Sequence, residues 1–144
     1  MEPSGVPATG GVDIDELRDY LSQTDVVYAL LFGSRARGTS DASSDVDIAL
    51  RFPDRTDERD RFRQRNRIDA AIQEYATGFV DVSDLKRLPT RLAYPALRDG
   101  IVLVGDSHVA ESDYERIETE YESMEGQREQ EREAFIDRLA RGEL

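Results

Sequence analysis

The chain has 144 residues, enough for one domain or one domain with an appendage, and too few for the extra domains with which a polymerase grips a template. It has no cysteine and a single histidine, His108, so disulfides, thiolate metal sites and a histidine-built zinc site are excluded. With 31 acidic residues against 19 basic ones, its formal net charge is −12, a balance that repels a phosphate backbone and argues against a general nucleic-acid binder.

No run of about 18 apolar residues is present, so no membrane span is expected. The opening lacks a basic stretch followed by an apolar one, so no secretory signal is expected and the cytoplasm is the expected compartment. Lys86 is the only lysine. A carboxylate-rich, lysine-poor, cysteine-free surface suits a salt-rich cell interior, where screening weakens self-repulsion, and points to a halophilic source. The plainer alternative is an ordinary acidic protein with an acidic tail. The acid is unevenly spread. Residues 1–105 carry 18 acidic and 14 basic residues, a net of −4, whereas residues 106–144 carry 13 and 5, a net of −8. Three segments follow: a flexible N-terminus over 1–11, rich in Pro, Gly and small residues; a domain over 12–105; and an acidic helical tail over 106–144.

In chain order, Ile14, Leu17 and Leu21 have helical spacing within Val12–Gln23, with Asp13 as N-cap. Val26–Phe32 is a continuous apolar run closed by Gly33, the pattern of a central strand buried on both faces. Asp45–Leu50 alternates strictly, with Val46, Ile48 and Leu50 on one side and Asp45, Asp47 and Ala49 on the other. Asp57–Ala76 reads as a helix with Phe62, Ile72 and Tyr75 on one side, stopped by Gly78. Phe79–Ser83 alternates again, with Val80 and Val82 inward and Asp81 outward. Pro89 fits the first turn of a short helix through Leu97, ended by Gly100, and Ile101–Val104 is a last strand. This order predicts an α/β (α+β) domain: a small sheet with helices covering one face, followed by the helical tail.

Two segments carry chemistry: Gly33-Ser34-Arg35-Ala36-Arg37-Gly38, and Ser44-Asp45-Val46-Asp47-Ile48. A buried strand ends at Gly33, where the missing side chain lets another group approach the backbone. If Ser34 opens a short helix ended by Gly38, its N–H groups and hydroxyl form an anion site. Ten residues separate Ser34 from Asp45, enough for one helical turn and a return loop. Asp45 and Asp47 point to one face of their strand. Two such carboxylates repel unless a cation sits between them, and Mg²⁺ takes hard oxygen ligands together with substrate phosphates. Asp81 is positioned to be a third carboxylate; Asp84 lies near the same strand end, and alternation favours Asp81. A phosphate cradle with an acidic metal cluster is equipment for phosphoryl or nucleotidyl transfer.

The pattern Gly33-Ser34, ten residues, Asp45-x-Asp47 resembles the signature of the DNA polymerase β-like nucleotidyltransferase superfamily, and GSRARG…SDVDIAL with the short length resembles its minimal nucleotidyltransferases (MNT). The resemblance implies that fold, with a small mixed sheet covered by helices. It implies Asp45, Asp47 and Asp81 as the Mg²⁺-binding catalytic set, and Gly33, Ser34, Arg37 and Ser44 as nucleotide-binding candidates. It further implies transfer of AMP from ATP to a tyrosine of a partner HEPN toxin, with this chain as the antitoxin and a hetero-oligomer as the assembly.

Blander readings stand beside these. Arg35 and Arg37 can touch a triphosphate or pair with Asp41 and neighbouring acids. Arg59, Arg63 and Arg67 share a helix face, but Asp54, Asp57, Glu58, Asp60 and Asp69 interleave with the arginine run, so a charge-paired surface is expected there. His108 is expected on the surface. Tyr114, Ile117, Tyr121 and Met124, then Phe135, Ile136 and Leu139, form a narrow apolar stripe. The tail is expected to pack its first half on the domain and offer its second to a partner, divided by a break at Gly126. The competing functions are a contact-only antitoxin whose acids are relics, and a nucleotidyltransferase acting on an antibiotic or on tRNA. The tail is too short for an antibiotic enzyme's substrate domain, and the chain lacks the basic surface that RNA needs.

Overall fold

The computed structural model describes residues 13–33, 46–75 and 79–142. Helix α1 (Ile14–Leu21) is capped by Asp13, whose carboxylate accepts the Glu16 N–H at 3.1 Å, and it buries Ile14, Leu17 and Leu21 as the helical spacing requires. Strands β1 (Tyr28–Phe32) and β2 (Val46–Arg51) pair antiparallel, with Phe32 opposite Asp47. Helix α2 (Glu58–Ile72) leads through a 3-10 turn, Gln73–Tyr75, towards β3 (Val80–Asp84), which runs parallel to β2. Helix α3 (Thr90–Asp99), β4 (Ile101–Gly105) and helix α4 (Ser107–Ala140) complete the order. The sheet order is β3-β2-β1-β4, so β1 is interior and the sheet is mixed, as expected of this α+β arrangement.

The sheet is covered on both faces rather than on one. Ala29, Leu31, Ile48 and Leu50 face a core closed by Leu17 and Leu21 of α1 and Ile68 and Ile72 of α2. Tyr28, Leu30 and Ala49 face a second core closed by Leu85, Ala93 of α3 and Ala110 of α4. The cause is visible in β1: a strand with no polar alternation needs apolar cover on each side.

Helix α2 departs from its expected face. Phe62 is 56% exposed, and the buried positions are Arg61, Ile68 and Ile72. The helix lies along the outer edge of β3, where arginine stems pack and their heads find acceptors. Arg61 Nε donates to Asp84 Oδ2 at 2.7 Å, Arg65 donates to the Val82 carbonyl, and Gln73 to the Val80 carbonyl. Arg65 and Gln73 thereby satisfy strand carbonyls that would otherwise recruit another strand. Gly78, the expected stop, lies outside the described residues. Pro89 is the N-cap of α3 rather than part of its first turn, and the helix continues past Pro95 to Asp99, with Gly100 as C-cap.

Helix α4 is capped by Asp106, which accepts from the His108 and Val109 N–H groups. His108 is exposed in the first turn. The helix runs unbroken through Gly126, correcting the expected division there; one glycine costs a long helix only about 1 kcal/mol. Its first turns pack on the domain through Ala110, Asp113 and Ile117. Tyr94 of α3 then stacks on Tyr121, ring centroids 4.2 Å apart. From Glu122 to Gly142 every residue is exposed. Among the described residues, no helix is long and apolar enough to cross a membrane.

Candidate active site

β1 delivers the chain to Gly33, which has φ +83°, a left-handed conformation that side chains disfavour. A Cβ built there would stand 2.5 Å from Asp47 Oδ2, so the Asp47 carboxylate rests against the turn in space that only glycine leaves open. Asp47 is held by two registers at once: it lies opposite Phe32 on β1 and beside Asp81 on β3. Behind the two aspartates, Val46, Ile48, Val80 and Val82 are buried in the core under α1 and α2. A one-residue slip would drive both carboxylates into that core, so the apolar set fixes their face. The Val46 N–H donates to the Phe79 carbonyl at 3.0 Å, which keeps β2 and β3 aligned past the carboxylates. Neighbouring strands lie about 4.8 Å apart, so two in-register carboxylates on one face are within reach of one small cation.

Gly33, Asp47 and Asp81 are thus brought together. Ser34, Arg37, Ser44 and Asp45, with Arg35, Gly38 and Asp41, lie outside the described residues. Among the described residues, no group of three or more acidic or histidine side chains forms a metal cluster. Asp84, the other acid on β3, has different work. It is 5% exposed, paired to Arg61, and its Oδ1 accepts the Lys86 N–H at 3.1 Å. Asp81 is exposed. The donor set at Asp47 and Asp81 is hard oxygen, which fits Mg²⁺ and not a soft metal.

At the other end of β1 and β2, a buried polar network absent from the sequence reading fastens α4. Asp113, 6% exposed, accepts from Tyr28 Oη at 2.7 Å and from Arg51 Nε at 2.8 Å. Burial alone would raise the Asp113 carboxyl, but the Tyr28 and Arg51 hydrogen bonds and the charges of Arg51 and Arg116 hold it below the ordinary carboxylate value. Burial first, and then the bond to that carboxylate, push the Tyr28 phenol above its ordinary value. The only advance signal was a tyrosine inside an apolar strand and an aspartate inside the tail's stripe.

A polymerase β nucleotidyltransferase family model matches residues 15–109, a span that contains Gly33, Asp47 and Asp81. The chain is 31% identical over 121 residues to the protein adenylyltransferase MntA of Shewanella oneidensis, covering 84% of this chain and 80% of that protein. It is similar in fold to a chain of a toxin–antitoxin crystal structure with AMP-PNP, with a TM-score of 0.65 and 24% identity, covering 90% of this chain and 99% of that one. A chain of a complex between a tri-AMPylated Shewanella oneidensis HEPN toxin and an MNT antitoxin has a TM-score of 0.58 and 21% identity, covering 89% and 99%.

Proposed function

The chain belongs to the polymerase β nucleotidyltransferase family, and on that premise we propose that it transfers AMP from ATP to a tyrosine hydroxyl of a HEPN-type toxin, acting as the antitoxin of the pair. The observation that carries the reading is the meeting of Gly33, Asp47 and Asp81 at one end of the sheet. The similarity to a protein adenylyltransferase supports AMP as the group moved, and the fold likeness to toxin–antitoxin complexes supports the class of partner.

Asp45, Asp47 and Asp81 would hold Mg²⁺, and Gly33, Ser34, Arg37 and Ser44 would receive the nucleotide. When bound, the ion would offset charge on the phosphates. Gly33 admits the phosphates close to the backbone, and Ser34 and Arg37 supply donors to their oxygens. The tyrosine oxygen attacks the α-phosphorus, forming a P–O bond as the bond to the β-phosphate oxygen breaks. Pyrophosphate leaves, and the phenol proton passes to a carboxylate oxygen of Asp81. Residues 12–105 would be the catalytic unit and 106–144 the appended acidic tail; the exposed second half of α4, with Phe135, Ile136 and Leu139, is offered to the partner. The acidic, lysine-poor composition supports a halophilic, cytoplasmic setting.

The test incubates the protein with radiolabelled ATP, Mg²⁺ and the HEPN protein of the adjacent gene. Label is expected on the partner. Asp45→Asn or Asp47→Asn should lower transfer by more than about a hundredfold, since loss even of an outer-shell metal partner costs 10–100-fold, with the circular dichroism unchanged. Full transfer by the double variant would sink the metal role. Tight partner binding without label would favour neutralisation by contact alone.

A further inference from the structure

We propose that Phe79 forms the acceptor-side wall of the site, an aromatic face on which the ring of the incoming tyrosine lies while its hydroxyl reaches Asp81; this rests on the tyrosine-directed reading above. Phe79 is 63% exposed, the most exposed large apolar side chain among the described residues. Its backbone is ordered into the sheet by the Val46 N–H bond to its carbonyl. Val80 and Val82 are buried and Asp81 is exposed; continued one residue back from β3, the same two-residue alternation assigns Phe79 to the face of Asp81. The other phenylalanine beside the carboxylates, Phe32, packs against the core under α3 and α4. Among the described residues Phe79 belongs to neither core, so the packing they make does not account for it.

The spacing suits a phenol. Phe79 and Asp81 are two residues apart, about 6.5 Å along a strand. A tyrosine hydroxyl donating to a carboxylate at about 2.7 Å sets its ring centre roughly 5 Å from that carboxylate, within the 4.5–7 Å range of aromatic pairs when Phe79 is the neighbour. The sheet order assigns the ring to the acceptor and not to adenine. Gly33 follows β1, Asp47 is on β2, Asp81 is on β3, the sheet edge, and Phe79 is the residue that leads into β3. The phosphate side and Phe79 are therefore separated by about two strand spacings, roughly 10 Å, with the carboxylates between them. An acceptor attacking in line with the leaving pyrophosphate arrives from the β3 side. Arg65 and Gln73 close the outer carbonyls of β3, so the partner meets this edge with side chains and not as an added strand.

The test measures AMP transfer to the HEPN partner by the wild type, Phe79→Ala, Phe79→Leu and Phe79→Tyr, with ATP affinity read separately by calorimetry. Phe79→Ala should raise the acceptor KM about tenfold, the size of one lost aromatic pair, and leave the ATP affinity and the kcat at saturating partner within about twofold. Phe79→Leu should recover little, and Phe79→Tyr most, of the acceptor KM. The wild type should label a partner whose acceptor tyrosine is replaced by serine far more weakly. An unchanged acceptor KM in Phe79→Ala, a weakened ATP affinity, or equal labelling of serine overturns the wall while the transferase reading stands. A wild type that labels no partner overturns both.

Discussion

Asp81 and Asp84 lie three residues apart on one strand and meet opposite demands. The Asp84 carboxylate is buried against Arg61, and removing it strands a buried guanidinium. Asp84→Ala should cost about 3 kcal/mol, the lower range for breaking a buried pair, and lower the melting temperature by roughly 10 °C. Asp81→Ala removes an exposed charge, so the melting temperature should hold while transfer falls. Denaturation and labelling measured on the same two proteins separate the roles, and a stability loss for Asp81→Ala as large as for Asp84→Ala would refute the division. Gly33→Ala is intermediate: a positive φ costs a side chain about 1–2 kcal/mol, and the new Cβ displaces the Asp47 carboxylate. Activity should therefore fall much further than stability, and Gly33→Val should abolish nucleotide binding by calorimetry. The Asp113 network sets the pH range. A carboxyl depressed in the folded state adds stability that is present above its unfolded value near 4 and lost as pH falls through the folded value. The raised Tyr28 phenol adds stability that is present below about pH 10 and lost as pH climbs above it. A urea midpoint measured against pH should fall at both ends, and Tyr28→Phe should shrink the alkaline fall, to which the raised Tyr20 phenol also contributes.

Helix α4 joins two environments in one element. Through Tyr121 it is held by the Tyr94 stack, Ile117 and the Asp113 network; beyond that, every described residue is exposed. Truncation after Ser123 should move the melting temperature by no more than about 2 °C, because the described residues it removes are all exposed. It should leave Mg²⁺–ATP affinity unchanged and weaken partner binding, measured by calorimetry on the same protein. A large drop in melting temperature would mean the far half packs on the domain after all. The period of the apolar residues made α1, β1, β2 and β3 legible, since each has a one-face or two-face requirement that burial enforces. The site was legible as far as Gly33, Asp47 and Asp81, because a glycine at a strand end and acids at alternate positions state their geometry locally. What periodicity could not show was the arginine side of α2. A guanidinium that buries its stem to satisfy a strand edge reads in sequence as a surface charge, so Phe62 was assigned the face that Arg61 and Ile68 occupy. The second core was hidden for a related reason: Ala93, Ala96 and Ala110 are too small to mark a face, and they seat α3 and α4 closely on the sheet.

At the scale of the whole molecule, the largest share of the net charge lies at the C-terminal end, net −8 over residues 106–144. Self-repulsion of that kind destabilises a compact chain, and added salt shortens its range from about 10 Å at 0.1 M to about 3 Å at 1 M. Salt also weakens favourable surface pairs, such as Arg128–Glu125 and Arg132–Glu129, but each is exposed and within one helix, where a pair contributes only about 0.3–0.5 kcal/mol. The paired contacts that hold the fold, Arg61–Asp84 and Arg51–Asp113, are largely buried and respond little to screening. With exposed pairs that each contribute little and an excess of negative charge to quiet, the balance predicts a melting temperature that rises by on the order of 5 °C between about 0.1 M and 2 M KCl. KCl is the informative salt, because sulfate and phosphate stabilise most proteins by exclusion from their surface. The Ser123 truncation, which removes part of the acidic excess, should show a smaller rise over the same range. A melting temperature that stays flat or falls in KCl for the full chain would show that its acids are already compensated, and would remove the physical basis for a salt-rich setting.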